Sequence, residues 1–205
     1  MKKSHLIALI IIPIFLLLNS GCTHLMMAPT TTVSDYPVTE KMNLSVGLII
    51  LPEMIDAKWE FHYMGDTWLL PLGENLTRNS ANMTKQLFSS VSVHKVSTAI
   101  ALPSVIATLI PKMKAFEQSS GAFAWNDAVT TIVLEWTLLD SKNNIVWANT
   151  IRADAKGKLG TAFSQESNDE ERTSQAIEKV FQDSFYAISN SQEIRKLVAR
   201  QEWAK

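Results

Sequence analysis

The chemistry-bearing residues of this chain are few and scattered. Its histidines are His5, His24, His62 and His94, and none stands in an H-E-x-x-H pattern. Serines are numerous, but none occupies a G-x-S-x-G elbow. There is no P-loop and no G-x-G-x-x-G. The GKLG stretch at residues 157–160 lacks the strand-to-helix context of a phosphate loop and reads as the exit from a hairpin. Glu166, Asp169, Glu170 and Glu171 cluster, yet without the alternating ligands and central glycine of a calcium loop. At the start of a helix the same carboxylates complement the dipole, which is the reading adopted. No catalytic set, metal site or cofactor is expected, and the chain is read as not an enzyme. One reactive group remains, the thiol of Cys22, the only cysteine in the chain.

The context of Cys22 points to acylation. Lys2 and Lys3 give a positive start, and residues 6–18 follow as LIALIIIPIFLLL without a charge. That run has the length of a signal-peptide core and falls short of the roughly 20 apolar residues needed to span a bilayer. Small residues Ser20 and Gly21 precede Cys22. The segment resembles the lipobox of bacterial lipoproteins, in which the pattern is Leu, a small residue, Gly or Ala, then Cys. Here Asn19 takes the place of the leucine, with Leu18 one step further out. The resemblance implies that the sulfur receives a diacylglycerol, that the chain is cut before Cys22, and that the new terminus is acylated, for example by palmitate. Several acyl chains, at roughly 0.8 kcal/mol per buried methylene, anchor a protein stably. Thr23, rather than Asp, follows Cys22, which in this resemblance implies sorting to the outer membrane, with the domain facing the periplasm.

Acylation of Cys22 leaves no thiol for disulfides, zinc–thiolate sites or cysteine catalysis. Cleavage removes Lys2 and Lys3 and takes the formal net charge from −1 to about −3. With no basic excess to follow a phosphate backbone, nucleic acid is not an expected partner. The N-x-[ST] patterns at Asn43, Asn75 and Asn82 are chance in a bacterial chain.

Three segments are expected: a signal peptide over 1–21, a lipidated Cys22 with a flexible tether over 22–43, and one periplasmic domain over 44–205. The tether is polar and kinked by Pro29 and Pro37. LSVGLIIL, from Leu44, reads as a buried strand. A weaker strand is expected around Trp59, Phe61 and Tyr63. Leu76, Ser80, Met83, Leu87 and Val91 fall on one helical face, and SVHKV reads as a short strand. A loop then leads to a strand from about Val105 through Phe116, in which Pro111 requires an edge or a bulge.

Ile132, Leu134, Trp136 and Leu138 alternate with polar or smaller residues. DSKNN turns the chain, with Asn144 suited to a left-handed backbone. Ile145, Trp147, Asn149 and Ile151 then share a face, completing a long β-hairpin. Ser167 and Glu170 make a capping box for a helix buried through Ile177, Val180, Phe181, Ser184, Phe185 and Ile188. A shorter helix capped by Ser191 ends the chain. The expected class is α+β: a two-layer sandwich, mainly antiparallel, with a long β-hairpin and two helices on one face.

Trp136 and Trp147 are expected in the core. Phe123 and Trp125, in the loop SSGAFAW, are candidate anchors for a partner, since aromatic residues are enriched at binding hot spots. Ile106, at the end of an apolar loop over residues 99–106, is a third candidate. The hairpin and final helix resemble small Gram-negative envelope lipoproteins of the YajG-like and LptE-like kind. The resulting expectation is a membrane-anchored, non-enzymatic accessory that binds an envelope protein in an outer-membrane assembly or transport complex. The alternative is a lipid- or glycan-binding periplasmic module with residues 99–110 lining a groove.

Overall fold

The computed structural model describes residues 22–34, 36–37, 40–63, 65–119, 127–158 and 165–202. The strands are β1 (Thr23–Leu25), β2 (Met42–Ile50), β3 (Lys58–Tyr63), β4 (Asp66–Pro71), β5 (Phe88–Lys95), β6 (Ala107–Ser119), β7 (Asp127–Asp140) and β8 (Ile145–Lys158). The helices are α1 (Pro52–Ile55), α2 (Gly73–Leu87), α3 (Gln165–Ser189) and α4 (Gln192–Glu202). A five-stranded sheet has the order β5-β2-β6-β7-β8, and a three-stranded sheet the order β1-β4-β3. The class is α+β, as expected. The pairing is more mixed than the hairpin suggested. β2 runs parallel to both β5 and β6, while β6, β7 and β8 are antiparallel. Helix α2 carries the chain back across the sheet between β2 and β5, and such a crossover makes parallel neighbours.

The core lies between one face of the large sheet and the helices α2 and α3. Leu44, Val46 and Leu48 on β2 and Ile132, Leu134, Trp136 and Leu138 on β7 are fully buried. Opposite them lie Leu76, Met83, Ile177, Val180, Phe181, Phe185 and Ile188. Each such side chain contributes about 1.5–3 kcal/mol through burial. The Trp136 indole N–H donates to Ser184 Oγ at 2.8 Å, and that hydroxyl donates to the Val180 carbonyl at 2.6 Å. The large ring is thereby buried without an orphaned donor.

The other face of the sheet is covered by loop rather than helix. Ile49, Ile110 and Leu139 form a small cluster there with Leu51, Val96 and Leu102. The loop descends directly onto Gly47, where a Cβ would press on Leu102 and Val105. Gly73 is fixed by the same logic, since a Cβ there would collide with the carbonyl oxygen of Ile55.

Pro111 lies past Leu109, the last β6 residue paired with β2, and a bulge follows between Met113 and Ala115. Both devices expected of a strand proline are therefore present. The β7–β8 turn departs in detail. Asn143, not Asn144, takes the left-handed conformation, at φ 64°. Asn144 instead donates its backbone and side-chain N–H groups to the Asp140 carboxylate. The ladder shifts between Leu138 and Leu139, so that Leu138 faces Trp147 but Leu139 faces Ile145. That extra residue turns Ile145 away from the core, and it is 66% exposed rather than sharing the face of Trp147. Helix α3 begins at Gln165, two residues before the expected start at Ser167. Ser191 does cap α4, its Oγ accepting the Ile194 N–H.

Candidate functional site

Among the described residues, those around Cys22 form the best-defined constellation. Cys22 is exposed and leads directly into β1. Its backbone N–H donates to Asp66 Oδ1 at 2.8 Å, and its carbonyl accepts the Thr67 N–H at 2.9 Å. β1 then pairs in parallel with β4, setting His24 beside Trp68. The other Asp66 oxygen lies 3.0 Å from His24 Nε2. The Cys22 amide and then the His24 ring hold the Asp66 carboxyl below the usual carboxylate range. This exposed contact positions the start of the chain more than it stabilises the fold.

An aromatic row starts at the same point. His24 stacks on Trp68 with centroids 4.3 Å apart, Trp68 lies 6.0 Å from Phe61, and Phe61 lies 4.5 Å from Trp59. Trp59 meets Phe116 of the large sheet at 5.7 Å. The row runs from the core outward to His24, two residues past Cys22. Alternation on β3 made Trp59 and Phe61 legible as one face, but nothing in the sequence tied them to His24.

The stretch read as a tether at 22–43 does not stand off from the domain where it is described. Pro29, Val33 and Tyr36 are buried, and the Tyr36 ring stacks on Phe185 at 4.9 Å. Burial pushes the Tyr36 hydroxyl above its ordinary pKa. Two buried asparagines of α2 satisfy the backbone of this stretch. Asn75 Nδ2 donates to the carbonyls of Pro29 and Thr31, both at 2.8 Å. Asn79 Oδ1 accepts the Val33 N–H at 2.8 Å, and its Nδ2 donates to Thr31 at 3.0 Å. The sequence signal was present: two asparagines four apart, beside the apolar stripe of an amphipathic helix.

The other candidates are not brought together. Phe123 and Trp125 lie outside the described residues. Ile106 is half-buried against the main core, and its N–H donates to the Ser45 carbonyl at 3.1 Å. It therefore packs against the core and is only partly exposed. Val96 and Leu102 pack on the back of the sheet, while Ile100 between them is 51% exposed. A cavity lined by Met26, Pro29, Leu70, Gln118 and Asp169 measures about 20 Å³, room for one water. An open depression of about 220 Å³ between the β7–β8 turn and α4 is edged by Asp140, Glu193, Lys196 and Arg200. Neither is shaped for a lipid tail or a sugar chain.

His62 contacts Thr67 Oγ1, and His94 contacts Ser92 Oγ, both near the surface. Within the acidic cluster, Asp169 bonds the buried guanidinium of Arg172. Burial nevertheless raises the Asp169 carboxyl above its ordinary range. Among the described residues no group of three His, Cys, Asp or Glu could hold a metal ion, and no helix is long and apolar enough to cross a membrane.

The fold is similar to that of a Xanthomonas campestris protein of the DUF330 family, with a TM-score of 0.52 and 13% identity over 89% of this chain and 99% of that one. At that identity the likeness is one of fold. A minor lipoprotein from Acinetobacter baumannii also matches, at a TM-score of 0.43 and 10% identity over 75% of this chain and 93% of that one. Lipoprotein GNA1162 from Neisseria meningitidis matches at a TM-score of 0.37 and 11% identity, over 64% and 96%. No protein-family model and no curated protein matches the sequence.

Proposed function

We propose that this chain is a lipid-anchored envelope lipoprotein, and a non-enzymatic accessory that binds a protein partner in an outer-membrane assembly or transport complex. The observation that carries the anchor is Cys22, exposed at the head of the fold and preceded by a charged start, an apolar core and small residues. Thr23 after Cys22 supports outer-membrane sorting, with the domain in the periplasm. The arrangement of a long hairpin and a final helix is in keeping with the YajG-like and LptE-like resemblance.

A protein partner is supported by the outer edge of β8. Among the described residues this strand pairs only with β7. Its charged residues Arg152, Asp154, Lys156 and Lys158 are confined to one half. Residues 147–151 read WANTI, and Ala148, Asn149 and Thr150 are exposed. Open edges are normally blunted by lysine, proline or a bulge. An uncharged open stretch fits a partner strand that adds to the sheet through main-chain hydrogen bonds. The lipid- or glycan-binding alternative is less favoured, because neither of the two hollows described above is shaped for a lipid tail or a sugar chain.

A photocrosslinking residue at Ala148 tests the partner site, with Lys85 on the exposed side of α2 as the control position. The expected outcome is one specific envelope-protein adduct from position 148 and none from position 85. Partner capture by the native lipidated protein with no adduct from position 148 would contradict the strand-addition reading.

A further inference from the structure

The contacts of Cys22 constrain more than its own position. An acylated residue sits at the boundary between headgroups and acyl chains, because its own chains are in the bilayer. Groups held directly against it must lie at nearly the same depth. Here those groups are Asp66 and Thr67, at the start of β4 beside the β3–β4 turn. No free linker intervenes, since residues 22–33 are held by β4 and then by Asn75 and Asn79.

The surface so placed has the composition of an interfacial belt. His24, Trp68 and Phe61 are half-exposed and stacked in a row. Leu25, on the opposite face of β1 from His24, and Met27 just beyond the strand are 76% and 69% exposed. Aromatic rings with a polar edge favour the headgroup level of a membrane. Basic side chains are sparse on these three strands. Lys58 lies at the far end of β3, and 3.5 Å from Glu60.

We propose that the outer edge along β1, with the adjoining start of β4 at Asp66 and Thr67, rests on the membrane, so that Leu25 on one face of the small sheet and the His24–Trp68 row on the other are both seated in the headgroup layer. The domain then rests directly on its bilayer in one orientation instead of swinging on a tether. The occupant is the lipid bilayer because the covalent acyl chains begin at the residue to which this surface is bonded. This inference rests on the lipoprotein reading and extends it to orientation.

The test uses the full mature lipidated protein in phosphatidylcholine vesicles. Cys22 is the only native cysteine and is acylated, so a single introduced cysteine carries a nitroxide. Leu25→Cys reports on the proposed surface. Lys142→Cys, in the β7–β8 turn, reports on the opposite end, because β6 begins beside that turn and nears Met26 only at Gln118. The expected result is that the label at 25 loses most of its collisions with a water-soluble nickel chelate and gains them with oxygen on vesicle binding. The label at 142 should not change. Two labels equally open to the chelate, on protein that is acylated and vesicle-bound, would overturn the seating and leave the anchor standing. Protein that proves to carry no acyl chain would overturn both.

Discussion

Trp136 is the residue on which the large sheet and α3 most depend. It is fully buried, edge-on to Phe181 at 6.2 Å, and its indole N–H is satisfied by Ser184. Trp136→Ala is expected to lower stability by about 3–5 kcal/mol in urea unfolding. A change below about 1 kcal/mol would mean that this face of β7 is not the core. The alternation of Ile132, Leu134, Trp136 and Leu138 was legible because a strand with one buried face writes a period of two. Ile145 departs from the face its spacing implies for a physical reason. One extra residue on β8 reverses the faces beyond it, and a count of apolar positions does not register an unpaired residue. Asn143 and Asn144 are equally suited to a left-handed turn by type. Only the bonds to Asp140 and Ala101 distinguish their roles.

Among the elements, α2 does more than its apolar stripe suggests. Leu76, Ser80, Met83 and Leu87 face the core as their spacing implies, but the helix stops at Leu87, and Val91, expected on the same helical face, lies in β5. Asn75 and Asn79 turn the neighbouring strip of the helix into a clamp for residues 29–33. Proline- and threonine-rich composition reads as linker because such residues form no periodic apolar face. Its backbone is satisfied by side-chain amides more than forty residues away, which local pattern does not reveal. Asn79→Ala is expected to speed hydrogen exchange at the Val33 amide and to lower stability by about 1–3 kcal/mol, the cost of leaving buried partners unmet. Exchange at β7 should stay protected. Unchanged exchange at Val33 would show that packing of Val33 and Tyr36 alone holds the stretch. The parallel pairing of β5, β2 and β6 was hidden for a related reason. Strand order depends on where the helix returns the chain, and apolar periodicity carries no direction.

At the scale of the whole molecule, the two proposed contacts occupy opposite ends. Cys22 and the aromatic row lie toward the end of β6 marked by Gln118. The uncharged stretch of β8 lies toward the β7–β8 turn, its middle residue Asn149 level with Pro111 of β6 and so about 23 Å from Gln118 at the usual rise per residue. A domain resting on its bilayer at one end would present the open edge toward the periplasm at the other. The fold class and the lone cysteine were legible in the sequence. Their connection was not, because it runs through Asp66, Thr67 and the α2 asparagines. The whole account depends on the state of Cys22. Mass spectrometry of the protein extracted from native membranes measures it directly, with Cys22→Ala as the reference. The account predicts an N-terminal peptide that begins at Cys22 and carries a diacylglyceryl thioether, and a Cys22→Ala protein that keeps residues 1–21 without lipid. A free thiol at Cys22, or residues 1–21 retained in the wild-type protein, would contradict it.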